Sequence, residues 1–127
     1  MGSPLIVLVE SDPTFARTLG AHLSRTGYEV RCAGTGRYAY GLIRRDQPRI
    51  VVANAALDHP QGGWILLSVL RRTPDTAGIP VILYSEDARY LEAIDDLIED
   101  PRYQTLCRPF DLTELVAQIE DLIPLSR

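Results

Sequence analysis

Five polar side chains stand at the ends of apolar runs. Glu10 and Ser11 follow "LIVLV", Asn54 follows "IVVA", Ser85 closes "IPVILYS" and Arg108 follows "YQTLC". Between them they offer a carboxylate, two hydroxyls, an amide and a guanidinium. A carboxylate accepts protons or hard cations, and a guanidinium holds anions in a planar fork. Asn54 is the odd member, because it is polar but uncharged where a buried strand would present its reactive group. The resonance-tied amide oxygen is a poor nucleophile, so this position carries no covalent catalysis. An Asn there also suits the start of a turn.

The remaining chemistry-bearing residues offer less. Cys32 and Cys107 form no CxxC pair, and His22 and His59 lack metal-ligand spacing, so no metal site is expected. "GTGRYAYG" (34–41) has Tyr40 where a dinucleotide loop needs its third glycine. Arg44, Arg45, Arg49, Arg71 and Arg72 cluster at helix ends, where they complement the helix dipole and are expected to be solvated.

The elements that must position the five groups follow from pattern. "LIVLVE" (5–10), "IVVA" (50–53) and "IPVILYS" (79–85) are continuous apolar runs, as for strands buried on both faces. "YEVRCA" (28–33) alternates like an edge strand, and "YQTLC" (103–107) is a short fifth strand. Helices are expected from Pro13 to the stop at Gly27, from Gly36 to Asp46 before Pro48, over 64–72, from Asp87 to Glu99, and over 111–123. The last carries the stripe Leu112, Leu115, Val116, Ile119, Leu122 and Ile123, with Asp111 and Glu114 at capping-box spacing. Five βα units imply a parallel sheet with right-handed crossovers. The fold class is therefore α/β, a doubly wound (βα)5 flavodoxin-like three-layer sandwich with sheet order 2-1-3-4-5. In that order Cys32 and Cys107 lie at opposite edges, four steps of roughly 4.8 Å apart, which excludes a bridge between them.

With 127 residues the chain makes one domain, expected over 4–124. A net charge of −4 argues against direct nucleic-acid binding. No apolar run approaches a membrane span, and "MGSPLI" has neither a signal-peptide nor a myristoylation pattern, so a cytoplasmic location is expected.

In open α/β sheets function collects at the carboxyl ends of the strands, which gathers Glu10, Ser11, Asn54, Ser85 and Arg108 into one place. Here the chain resembles the receiver domain of two-component response regulators. "VLVESDP", "GYEVRCAGTGRYA", "QPRIVVANAAL", "GIPVILYSE" and "CRPFDLTEL" stand in order over nearly the whole length. The resemblance implies a bacterial phosphorelay chemistry. Two adjacent acids after strand one hold Mg²⁺, an Asp after strand three takes the phosphoryl group, and a hydroxyl after strand four and a Lys after strand five bind it. Those positions fall on Glu10 and Ser11, Asn54, Ser85 and Arg108.

The departures define the expectation. Asn54 cannot form an acyl phosphate, Ser11 replaces one metal acid, and Arg108 replaces a mobile Lys. Asp58 stands where the family has Pro, the loop before "WILL" is about one residue longer, and Thr105 takes the aromatic switch position. The reading is a degenerate pseudo-receiver that needs no cofactor and is not an enzyme. It would act as a phosphorylation-independent interaction module for another signalling protein, an output domain or a second copy of itself. Tyr90, Leu91, Tyr103 and Thr105 are its candidate partner surface, with exposed apolar anchors. Arg108 is expected to lock the pocket by pairing with Glu10 or bonding the Asn54 oxygen. Two rivals stand beside this reading: residual phosphoacceptance through Asp58 or Glu10, and a small-ligand or anion sensor in the strand-end pocket.

Overall fold

The computed structural model describes residues 2–126 and contains five strands in the order β2-β1-β3-β4-β5. They are β1 (Leu5–Val9), β2 (Glu29–Ala33), β3 (Ile50–Asn54), β4 (Val81–Ser85) and β5 (Tyr103–Cys107), all paired in parallel. The helices are α1 (Pro13–Arg25), α2 (Gly36–Asp46), α3 (Gly62–Arg72), α4 (Ala88–Asp95) and α5 (Leu112–Leu122), with a final 3-10 turn at Ile123–Leu125. This is the doubly wound α/β architecture expected, with the two cysteines free on opposite edge strands.

The period of two along each strand divides the core into two layers. Val7, Val9, Val51, Ala53, Val81 and Leu83 face the side covered by α2, α3 and α4, and Leu42, Ile43, Leu67, Leu70 and Ile94 close it. Ile6, Leu8, Ile50, Val52, Ile82 and Tyr84 face α1 and α5 and meet Leu19, Leu23, Leu115 and Ile119. Burial on both faces explains why these strands are apolar without interruption.

Local chemistry sets the ends of the elements. Asp12 accepts the Thr14 and Phe15 N–H groups ahead of Pro13, and Gly27 leaves α1 with φ +101°. Glu114 Oε1 accepts the Asp111 N–H at 3.3 Å, forming the capping box of α5. Two expected helix limits move. α3 starts at Gly62 because the chain there runs against the end of β3: a Cβ on Gly63 would lie 2.6 Å from Asn54 O. α4 stops at Asp95 instead of Glu99, since Asp95, Asp96, Glu99 and Asp100 concentrate negative charge at the negative end of its dipole.

One expected solvated arginine is a clamp instead. Arg71 is mostly buried and donates to Asp100 Oδ2 (2.6 Å), Ile79 O (2.7 Å) and Arg102 O (3.2 Å). It ties the end of α3 to the starts of β4 and β5. No described helix is long and apolar enough to cross a membrane.

Candidate functional site

Register brings the strand ends together. Val9 pairs with Ala53, so Glu10, the next residue, lies beside Asn54, and Asn54 itself pairs with Tyr84. Glu10 is 4% exposed, which makes it the buried acid of the site. A carboxylate removed from water needs donors or a counter-charge. Glu10 has three donors: Oε1 accepts the Tyr84 hydroxyl at 2.5 Å and Asn54 Nδ2 at 3.1 Å, and Oε2 accepts the Asp12 N–H at 3.0 Å.

Asn54 uses both halves of its amide. Its Nδ2 serves Glu10, and its Oδ1 accepts the Ala56 N–H at 2.9 Å, closing a turn at the exit of β3. The loop-cap role and the loss of the carboxylate therefore coexist in one side chain. A carboxylate at this position would have no N–H to give Glu10.

Tyr84 is the residue that strand-end reasoning missed. It lies inside the apolar "VILYS" run and reads there as core. Its ring is fully buried, 5.7 Å from the ring of Phe15 and 5.8 Å from that of Phe110. Burial, and then the bond to Glu10, hold its hydroxyl far above the usual tyrosine range, so it stays a proton donor. A tyrosine in such a run needs a polar partner within reach of its hydroxyl, and the acid ending β1 is that partner.

The expected Arg108 lock is corrected. Its guanidinium stacks over Phe15, 4.0 Å from the ring centroid, and its ion-pair partner is Glu86 at 3.8 Å. Glu10 and the Asn54 oxygen are satisfied by Tyr84 and Ala56 instead. The planar guanidinium favours an aromatic face, whereas Glu10 sits among short, uncharged donors. The Arg108–Pro109 peptide bond is cis.

Ser85 is buried and its Oγ accepts the Asp87 N–H at 3.0 Å, leading into α4. Ser11 is exposed. Asp58 has φ +66° and accepts the Gly36 N–H at 2.9 Å. That bond ties its carboxylate to the start of α2.

The candidate partner residues divide. Tyr90 is half-buried, and Thr105 donates to Asp95 Oδ2 at 3.0 Å, joining β5 to α4. Leu91 and Tyr103 are buried against the sheet, 4% and 7% exposed, and are not anchors. Leu91 lies on the inward stripe of α4, and Tyr103 is the inward residue at the start of β5. The large apolar side chain open to solvent in this region is Leu97, 73% exposed just beyond α4.

The Mg²⁺ that the resemblance implies does not suit these residues. Ser11 offers a hydroxyl in place of a carboxylate, and both Glu10 oxygens already accept protein donors. Among the described residues no group of three or more His, Cys, Asp and Glu side chains is placed to hold a metal ion.

A sequence profile of the response regulator receiver domain matches residues 6–120. The chain is 26% identical over 94% of its length to the DNA-binding dual master transcriptional regulator RpaA of Synechocystis sp., covering 49% of that protein. It is 31% identical over 87% of its length to the DNA-binding transcriptional regulator NtrC of Bradyrhizobium sp., covering 22% of it. The chain thus spans half or less of the length of these relatives. A response regulator from Chloroflexus aurantiacus J-10-fl superposes with a TM-score of 0.84 at 25% identity, over 96% of this chain and 98% of that one. The receiver domain of a signal transduction histidine kinase from Syntrophus aciditrophicus gives a TM-score of 0.82 at 25% identity, over 96% and 91%.

Proposed function

The chain belongs to the response regulator receiver domain family of two-component systems, and from that premise we propose that it works as a phosphorylation-independent interaction module. The observation that carries this reading is Asn54. It occupies the strand-end position from which a carboxylate would attack a phosphoryl donor, and both ends of its amide are engaged, with Glu10 and with Ala56 N. Phosphoryl transfer to this position would need an oxygen nucleophile that the amide lacks. Asp58, the rival acceptor, is held on Gly36 N.

Signalling then rests on a surface that is permanently presented. The region at α4 and the turn after it exposes Leu97 among Glu92, Asp95, Asp96 and Glu99. With Tyr90 and Thr105 alongside, this supports docking of a partner with an apolar centre and a basic rim. Such a partner would be another signalling protein or an output domain, and the chain itself would have no catalytic role.

The test is incubation of the chain with acetyl phosphate and Mg²⁺, read by intact mass. The expected result is an unmodified mass. A gain of one phosphoryl group would overturn the proposal, and mapping the adduct to Asp58 or Glu10 would establish the rival acceptor.

A further inference from the structure

Asp58 and the lengthened loop after β3 border a cavity of about 270 Å³ between α2 and α3, and neither Glu10 nor Asn54 lines it. Its wall is apolar, made by the Tyr40 ring, Leu66 and Val69, with Ile65 45% exposed at its side. The Tyr40 ring is held from behind: its hydroxyl bonds Thr73 Oγ1 at 3.2 Å, and the Arg44 guanidinium lies 5.7 Å from its centroid. The volume lies just below the roughly 300–1,000 Å³ of sites for drug-sized molecules, so the occupant is a small metabolite.

Two opposite charges line this cavity without closing on each other. Arg44 and Arg45, the other arginines of α2, pair with Asp75 and Asp46. Arg37 lines the cavity, is exposed and has no ion-pair partner among the described residues. Asp58 lines it as well, and only its Oδ2 is used, on the Gly36 N–H at 2.9 Å. Among the described residues no protein donor reaches Asp58 Oδ1. His59, whose Nδ1 accepts the Gln61 N–H at 3.3 Å, keeps Nε2 as a further donor. An apolar wall, a free guanidinium and a carboxylate with one open oxygen call for a ligand that carries both charges beside an apolar body.

We infer that this cavity is a binding site for a free apolar α-amino acid. Its carboxylate meets the planar fork of Arg37, and its ammonium meets Asp58 Oδ1. Its side chain lies on Tyr40, Leu66 and Val69, where burial of apolar surface adds affinity. A simple carboxylate would face Asp58 unpaired, and a simple amine would face Arg37, so neither half-ligand satisfies the site. Occupancy would join α2 to α3 and add stability by mass action. The inference does not rest on the phosphorylation-independent reading of the chain.

The experiment titrates the ¹⁵N-labelled chain with L-leucine and L-phenylalanine, and with the half-ligands 4-methylpentanoate and 3-methylbutylamine. At least one of the two amino acids is expected to give saturable amide shifts in 36–40 and 58–69, with a Kd on the order of 0.1 mM. Each half-ligand is expected to bind at least tenfold more weakly. Arg37→Gln and Asp58→Asn should each weaken the amino acid about tenfold, and Asp58→Asn keeps an oxygen for the Gly36 N–H. Should Asp58→Asn disturb the fold, Arg37→Gln decides, because it changes an exposed, unpaired side chain. Three results overturn the inference: no saturable shift with either amino acid up to ~10 mM, a half-ligand that binds as tightly, or binding that Arg37→Gln leaves unchanged. Shifts centred on Glu10 and Asn54 instead would also overturn it. The acetyl phosphate experiment tests the proposed function separately, so either can fail alone.

Discussion

At the scale of single residues the site is a set of matched protons. Asn54 donates to Glu10 at 3.1 Å, so Asn54→Asp would bring two carboxylates together without the bridging N–H. Like charges at that distance raise the pKa of the pair, and a raised folded-state pKa means protons are taken up on folding. The contribution is then present at low pH and lost as pH rises. Asn54→Asp is expected to be less stable than the parent by roughly 1–3 kcal/mol at pH 8. The deficit should shrink toward pH 5, as read by urea unfolding at both values. A deficit independent of pH would mean the new acid does not couple to Glu10. The five polar strand-end residues were legible in the sequence because apolar runs end at them. Their pairing was not: charge suggested Arg108 with Glu10, while the fold set a tyrosine from inside β4 on that acid and put Arg108 on Phe15.

At the scale of elements, the clamp of Arg71 on Asp100 shows how a helix end is held to the sheet. Burial alone would raise the Asp100 pKa, but the Arg102 N–H and the Arg71 guanidinium outweigh it and hold the carboxyl below its ordinary value. A depressed folded-state pKa gives stability that is complete above the unfolded value and is lost as pH falls through the folded one. Asp100→Asn is therefore expected to lower neutral-pH stability by about 1–3 kcal/mol. Denaturant melts from pH 7 down to pH 2 should show the gap between parent and variant closing below about pH 4. A constant gap would assign the loss to packing. The "RR" pair at the end of α3 read as solvated, since nothing local indicates that Asp100, far along the chain, folds against Arg71. The premature end of α4 is different: its cause, four acids in the run from Asp95 to Asp100, is written in the sequence.

At the scale of the whole molecule, the surface around Leu97 sets how copies and partners meet. A twofold dimer through this face would bring the exposed acids Glu92, Asp95, Asp96 and Glu99 against their own copies. Like-charge contact disfavours that pairing at low ionic strength, and added salt relieves it. Sedimentation velocity is expected to show a monomer at low salt. A low-salt dimer that Leu97→Asp abolishes would instead establish self-association through this face. By itself the sequence determined the five βα units, the parallel sheet order and the gathering of Glu10, Ser11, Asn54, Ser85 and Arg108 at one edge. Those follow from periodicity, capping and topology, each readable within a few residues. Only the tertiary structure decided that Tyr84 satisfies Glu10, that Arg108 turns to Phe15, and that Leu91 and Tyr103 are core while Leu97 is exposed. The physical reason is that a buried charge is satisfied by whichever donors the packing brings within reach, and residues 74 positions apart in the chain, Glu10 and Tyr84, meet only when the sheet has formed.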